Sequence, residues 1–251
     1  TIVKGADEGL KQYRGQDTDF TMFFPEAHLI GALSAQSDDS LIRVGSQGVF
    51  RVDTSSGGNF GAFTTNLTAN AAKAIGCTST LIGHCEERRD KLEILQAGGV
   101  NDPEVVNRLL NKSVQCAVNA GLAVLYCIGE KAEEQERWQE VLKSQIETGL
   151  ADVDTENICI AYEPVWAIGP GKTPPDREYI KKIGDYVKEI SGGLDLVYGG
   201  GLKTGNAKML ASIDVIDGGL IALTRFTGDI GFYPDEYLEI IATYFGLGEK
   251  I

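Results

Sequence analysis

Seven apolar runs, each followed by a loop and most then by a helix-forming segment, dominate this chain from residue 19 onward. The runs fall at residues 19–25, 41–46, 79–83, 122–127, 158–162, 194–198 and within 215–223. Helical segments are predicted at 27–36, 67–76, 102–121, 131–149, 175–190 and 204–211, with a closing helix from Asp235; residues 84–90 read as a loop. Several boundaries carry explicit signals, such as Asp102-Pro103-Glu104 opening one helix and Gly121 closing it. Strands that alternate with helices predict a parallel sheet with covered faces. The number of units favours a closed (β/α)8 barrel, with every loop after a strand opening onto one common end. An open doubly wound sheet is the alternative, but no glycine-rich dinucleotide fingerprint follows the early strands. No composition break marks a second domain, so one barrel domain over residues 1–251 is expected. The start fits least well. Thr1-Ile2-Val3-Lys4-Gly5 and a short helix over 6–14 precede the first clear strand, so the barrel's first strand is missing from, or atypical in, this chain.

A formal charge of −13 argues against nucleic-acid partners, because a polyanion would be repelled. Small anionic ligands stay possible, since local amides and single cations can hold them. No apolar run approaches the ~18 residues of a membrane span, and Thr1 onward lacks a basic-then-apolar leader. Cys77, Cys85, Cys116, Cys127 and Cys159 are widely spaced without a CxxC pair, and there are only two histidines. That pattern predicts free thiols, no metal site and a reducing, cytoplasmic setting.

Residues 158–175 hold the sharpest chemistry. The buried-strand pattern Ile158-Cys159-Ile160-Ala161-Tyr162 ends at Glu163, and Pro164 stops the strand there. Ala167-Ile168-Gly169-Pro170-Gly171-Lys172-Thr173 follows: permissive glycines between stiff ends, the composition of a hinged lid. A carboxylate at a strand's carboxyl end beneath such a loop suits a general base, because partial loss of water raises its basicity.

Tyr162-Glu163-Pro164-Val165-Trp166-Ala167-Ile168-Gly169, then Gly171-Lys172-Thr173, resembles the catalytic-loop signature of the triosephosphate isomerase family. Cys127-Ile128-Gly129-Glu130 matches that family too, in a structural capacity. The resemblance runs from about residue 19 to the end. It implies a TIM barrel interconverting dihydroxyacetone phosphate and glyceraldehyde 3-phosphate, a step of glycolysis and gluconeogenesis, with no cofactor. It also implies a role for each matching residue. Glu163 is the base and His84, in Gly83-His84-Cys85-Glu86-Glu87-Arg88-Arg89, the neutral electrophile. Glu86 buttresses the site, with Glu87 as the alternative, because the family segment is Gly-His-Ser-Glu-Arg-Arg. Gly169 in the lid, with Gly200 and Gly201 in Tyr198-Gly199-Gly200-Gly201-Leu202, would hold the phosphate. The loop of residues 47–65, opening on Gln47 and closing on Thr65, ends in Gly61-Ala62-Phe63-Thr64 like the family's dimer loop, implying a homodimer.

Departures from the family pattern set further expectations. Ala222 and Leu223 fall where the family has paired glycines, so either the phosphate is held further out or Arg225 compensates as a bidentate donor. The family's Asn-x-Lys is absent; either it lies upstream of Thr1, which is favoured, or Lys4 substitutes. Rival readings are an isomerase of another small sugar phosphate, such as a tetrulose phosphate, and a silent metabolite-binding barrel.

Overall fold

The structure, a computed structural model, describes residues 2–58, 63–169, 171–225 and 227–246. Seven strands form one wholly parallel sheet: β1 (Phe20–Phe24), β2 (Ile42–Ser46), β3 (Ser79–Ile82), β4 (Ala123–Ile128), β5 (Ile158–Tyr162), β6 (Leu196–Tyr198) and β7 (Gly218–Gly219). Their order in the sheet is their order in the chain, with no reversal, which rules out the doubly wound alternative. Crossovers of one hand in such an order carry every helix to the same face. The other face must then curl around itself to leave water, and the side chains record this. Val124, Tyr126, Ile128, Ile158, Ile160 and Tyr162 alternate outward into the large core beneath the helices. Leu81, Cys127 and Ala161 point the other way and form a smaller inner cluster with Phe23, Leu125, Val197 and Leu220.

The helices are α1 (Ile2–Leu10), α2 (Leu29–Leu33), α3 (Ala69–Ala74), α4 (Cys85–Ala97), α5 (Pro103–Asn119), α6 (Trp138–Gly149), α7 (Arg177–Ser191), α8 (Thr204–Ala211) and α9 (Pro234–Tyr244). Asp102 and Asp176 cap α5 and α7 by accepting from the Glu104 and Tyr179 amides, as the side chains at those positions should.

Two expectations about the helices need correction. Residues 2–10 form one helix, where a short helix was expected only from residue 6, because Val3, Ala6 and Leu10 make one buried stripe. As expected with the barrel's first strand missing, seven strands occur among the described residues, with β1 and β7 at the sheet edges. The helix layer nevertheless closes across that gap: α1 lies on α9, with Gly5 so near Pro234 that a Cβ would sit 2.7 Å from its ring. Finally, residues 85–97 form a helix where a loop was expected. No α4 residue is fully buried, so the helix carries no apolar stripe from which periodicity could announce it.

Candidate active site

Glu163 follows β5 directly, and its amide still donates to the Ile128 carbonyl of β4 at 2.8 Å. The sheet therefore sets the depth of the carboxylate. Two glycines make room for it. At Gly129 a Cβ would run into the Glu163 main chain, and at Gly199 it would lie 2.9 Å from the Glu163 Cγ. The side chain is 2% exposed. Burial pushes its pKa up to about 8, opposed by a hydrogen bond from the Cys85 amide to Oε2 at 3.1 Å and by the nearby Arg88 cation.

His84 occupies the end of β3 and is the N-cap of α4. Its Nδ1 faces the Glu86 amide at 3.4 Å, an acceptor position that leaves the proton on Nε2. Nε2 lies 3.2 Å from Glu163 Oε1. Burial depresses the imidazole pKa against the opposing pull of Glu86 and Glu87, so the ring is neutral and this contact is a hydrogen bond, not an ion pair. Residues 79 positions apart in the chain thus meet at the carboxyl end of the sheet, joined by one hydrogen bond.

The first turn of α4 supports this pair in a way the chain order conceals. Glu86 is exposed, whereas Glu87, the alternative to it, accepts from the Gly83 amide at 2.7 Å. Helical rotation alone selects between the two neighbours. Arg88 points inward and donates to the carbonyls of Gly83 at 2.7 Å and Cys127 at 2.8 Å, to Asn107 at 2.8 Å and to the Tyr126 hydroxyl at 3.1 Å. One guanidinium ties β3, β4 and α5 together beneath the histidine. Arg88 and Gly199 were not anticipated from the sequence; a run of two arginines after two glutamates gives no sign of which one turns inward.

The lid begins as a single 3-10 turn, Val165–Ala167. Trp166 Nε1 donates to Glu130 Oε1 at 2.7 Å, and the same oxygen receives the Tyr162 and Tyr179 hydroxyls at 3.0 and 3.1 Å. Burial raises the Glu130 pKa against these three donors, while its Oε2 is buried with no hydrogen-bond partner. Gly169 and Gly171 are exposed, with φ of 116° and 76°; Pro170 between them lies outside the described residues. Of the expected phosphate glycines, Gly200 is packed so that a Cβ would meet Pro164 at 2.8 Å. Gly201 has a φ of 90° with open space where a side chain would be, so its main chain can face a ligand.

The two cations offered as alternatives for this end of the sheet lie elsewhere. Arg225 bonds its Nε to Glu236 Oε1 at 2.9 Å and stacks on Tyr233 at 3.8 Å, so its fork is committed within its own loop and α9. Lys4 is exposed on α1 and lines a surface groove with Asp7, Lys11 and residues 34–37. Those residues lead into β2, which puts Lys4 at the amino end of the sheet, opposite the site. The predicted dimer loop is only partly visible: Phe63 packs on Phe50 with ring centroids 5.8 Å apart, while Gly61 and Ala62 lie outside the described residues.

A parallel α/β barrel with a buried carboxylate and a neutral imidazole joined on its carboxyl end belongs to the class of barrels equipped for proton transfer. The comparisons with known proteins narrow this. The sequence model of the triosephosphate isomerase family matches residues 2–229. The triosephosphate isomerase of Geobacter metallireducens is 38% identical over 182 residues, 67% of this chain and 68% of that one. That of Chloroherpeton thalassium is 32% identical over 217 residues, 81% and 77% of the two chains. The crystal structure of triosephosphate isomerase from Bartonella henselae superposes with a TM-score of 0.73 over 97% of this chain and 93% of that one; at 24% identity this likeness establishes the TIM-barrel fold. The chain belongs to the triosephosphate isomerase family, and so to the isomerases that act as intramolecular oxidoreductases.

Proposed function

We propose that this chain interconverts dihydroxyacetone phosphate and glyceraldehyde 3-phosphate, with Glu163 as the base and His84 as the electrophile. The carboxylate takes the proton from the carbon beside the carbonyl, while the Nε2–H of His84 donates to the carbonyl oxygen. The electron pair of the broken C–H bond moves into an enediol as the carbonyl oxygen takes the His84 proton. The hydroxyl of the other carbon then gives its proton back to His84, and Glu163, whose proton exchanges with solvent, delivers a proton to the former carbonyl carbon. No group leaves and no electron is lost, so the cycle needs no cofactor. The contact that carries this reading is the 3.2 Å approach of Nε2 to Oε1 in a pocket dry enough to lift the carboxyl pKa to about 8. The amides of Gly169, Gly200 and Gly201 are the phosphate donors in this scheme, and Glu87 and Arg88 are positioning residues. A homodimer through residues 47–65 and a cytoplasmic setting complete it.

Solvent exchange tests the reaction directly. Dihydroxyacetone phosphate incubated with the protein in deuterium oxide should gain one deuteron at the carbon beside its carbonyl, read by proton NMR. A folded protein that labels only a four-carbon ketose phosphate would transfer the chemistry to that substrate. One that labels neither would leave the site without the proposed reaction.

A further inference from the structure

On its β3 side, β4 outruns its partner strand before it reaches the site. The pairing of β3 with β4 ends at Ile82 and Tyr126, whereas that of β4 with β5 continues to Ile128 and Tyr162. Peptide groups of β4 past Tyr126 that face β3 therefore lie beyond the ladder, and buried ones need other partners. Side chains supply them. Arg88 takes the Cys127 carbonyl. Gln145 of α6 takes Gly129: its Oε1 accepts from the Gly129 amide at 2.8 Å, and its Nε2 donates to the Gly129 carbonyl at 2.9 Å. One side-chain amide thus binds both backbone groups of a single residue, as a neighbouring strand would. We infer that Gln145 is a positioning residue for Glu163, fixing the place of the carboxylate through Gly129. The inference rests on the reading of Glu163 as the base and extends the site to a helix on the outside of the sheet.

Contacts on both sides of Gly129 carry it. Gly129 lies so near Glu163 that any Cβ would run into the Glu163 carbonyl, and the Glu163 amide hangs from the Ile128 carbonyl at 2.8 Å. A movement of residues 128 and 129 therefore carries the base with it. Gln145 has little freedom of its own. It is 8% exposed, on the buried face of α6 with Leu142 and Ile146. Its main-chain carbonyl accepts from the Tyr126 hydroxyl at 2.9 Å, and that hydroxyl accepts from Arg88 at 3.1 Å. Helix α6 is so held to β4 at two levels, by Tyr126 within the strand and by Gly129 just past its end. The residue after Gly129 is Glu130, which receives the Trp166 indole, so the same clamp sets where the first turn of the lid is anchored. Among side chains of this length, methionine makes neither bond to Gly129, and glutamate has a donor only while protonated.

Steady-state kinetics of the intact protein with dihydroxyacetone phosphate is the test, with circular dichroism on every variant. Gln145→Met leaves a buried N–H and C=O unpaired beside the base, so kcat should fall about tenfold or more while KM stays within about twofold. Gln145→Glu should work in acid, where its carboxyl can donate to the Gly129 carbonyl, and fail as that group ionises. Its kcat relative to wild type should therefore decline steadily between about pH 5 and about pH 9. Gln36→Met is the control, because Gln36 holds the Ile42 carbonyl at 2.6 Å at the amino end of the sheet; kcat should not change. A natively folded Gln145→Met with kcat within about threefold of wild type overturns the inference. So does a loss in Gln36→Met as large as that in Gln145→Met. Should Gln145→Met fail to fold, a flat pH ratio in Gln145→Glu overturns it instead. A wild-type protein that turns over no triose phosphate removes the isomerase reading, and the positioning is then read from the Glu163 carboxyl by carbon-13 NMR. Its pKa should fall from about 8 in Gln145→Met as water reaches a carboxylate no longer held, and an unchanged titration there overturns the inference.

Discussion

The β3–β5 side of the sheet and the β6–β7 side are built to different standards. β4 and β5 pair at five positions, and β3 and β4 at four; the side chains outside them are buried. On that framework Glu163 and His84 are wedged by two glycines, one amide hydrogen bond, Glu87 and the four-way grip of Arg88. β6 is three residues long, β7 is Gly218–Gly219, and the two pair at two positions. Beyond β7 the chain turns on itself through the Arg225–Gly231 bridge, and its arginine serves Glu236. Proton transfer fails when a base moves by fractions of an ångström, whereas a phosphate can be held by amides over a range of positions. The difference teaches that this fold concentrates rigidity around Glu163 and His84, and the experiments that break or sharpen the contrast follow from it.

Glu163→Gln should have the largest effect, lowering kcat by about 10³-fold or more while urea unfolding stays cooperative, since shape survives and the base is lost. Near-full turnover in that variant would remove Glu163 from the reaction. Gly199→Ala comes next. Its methyl would press on the Glu163 Cγ from 2.9 Å, and a displaced base should cost about 10²-fold in kcat with little change in KM. An unaltered kcat would show the β5–β6 edge to be more yielding than the ladder implies.

Dependence on pH should be as steep as one ionisation allows. Turnover should rise about tenfold per unit as pH approaches about 8 and then level, because only the ionised carboxylate takes the proton. Stability runs the opposite way. The folded-state pKa stands above the ordinary 4.5, so burial of Glu163 is harmless below 4.5 and grows costly as pH climbs to about 8. Glu163→Gln should therefore match wild-type stability in acid and exceed it above neutrality, as chemical denaturation at several pH values would reveal. A constant difference would mean the carboxyl pKa is not raised.

Smaller again is Trp166→Phe, which removes one donor from Glu130. Losing a hydrogen bond to a charged group costs about 1.5–3 kcal/mol, and the effect should appear as faster proteolysis within residues 163–175 and a melting temperature lower by a few degrees. The least effect belongs to Arg225→Ala. An ion pair with Glu236 this open to solvent contributes little, so the KM for a triose phosphate should move less than about threefold. A tenfold rise would show that Arg225 leaves Glu236 for the phosphate, and that the β7 side is as engaged as the other.

Local chemistry in the sequence was enough for the alternation of strands and helices, the capped starts of α5 and α7, and the placement of Glu163 at a strand end under a glycine-bearing loop. These features depend on neighbours within a few positions, where apolar periodicity, proline and aspartate act directly on the backbone. Tertiary structure alone decided the rest. α4 escaped notice because it buries no residue completely; which of Glu86 and Glu87 reaches the Gly83 amide depended on the rotation of that helix. Lys4 and Arg225 went elsewhere because α1 lies on the outside at the far end and Glu236 had already claimed the guanidinium. The meeting of His84, Cys85 and Glu163 depends on which strands are neighbours, a choice made by burying two faces of one curled sheet and not by any residue's immediate surroundings.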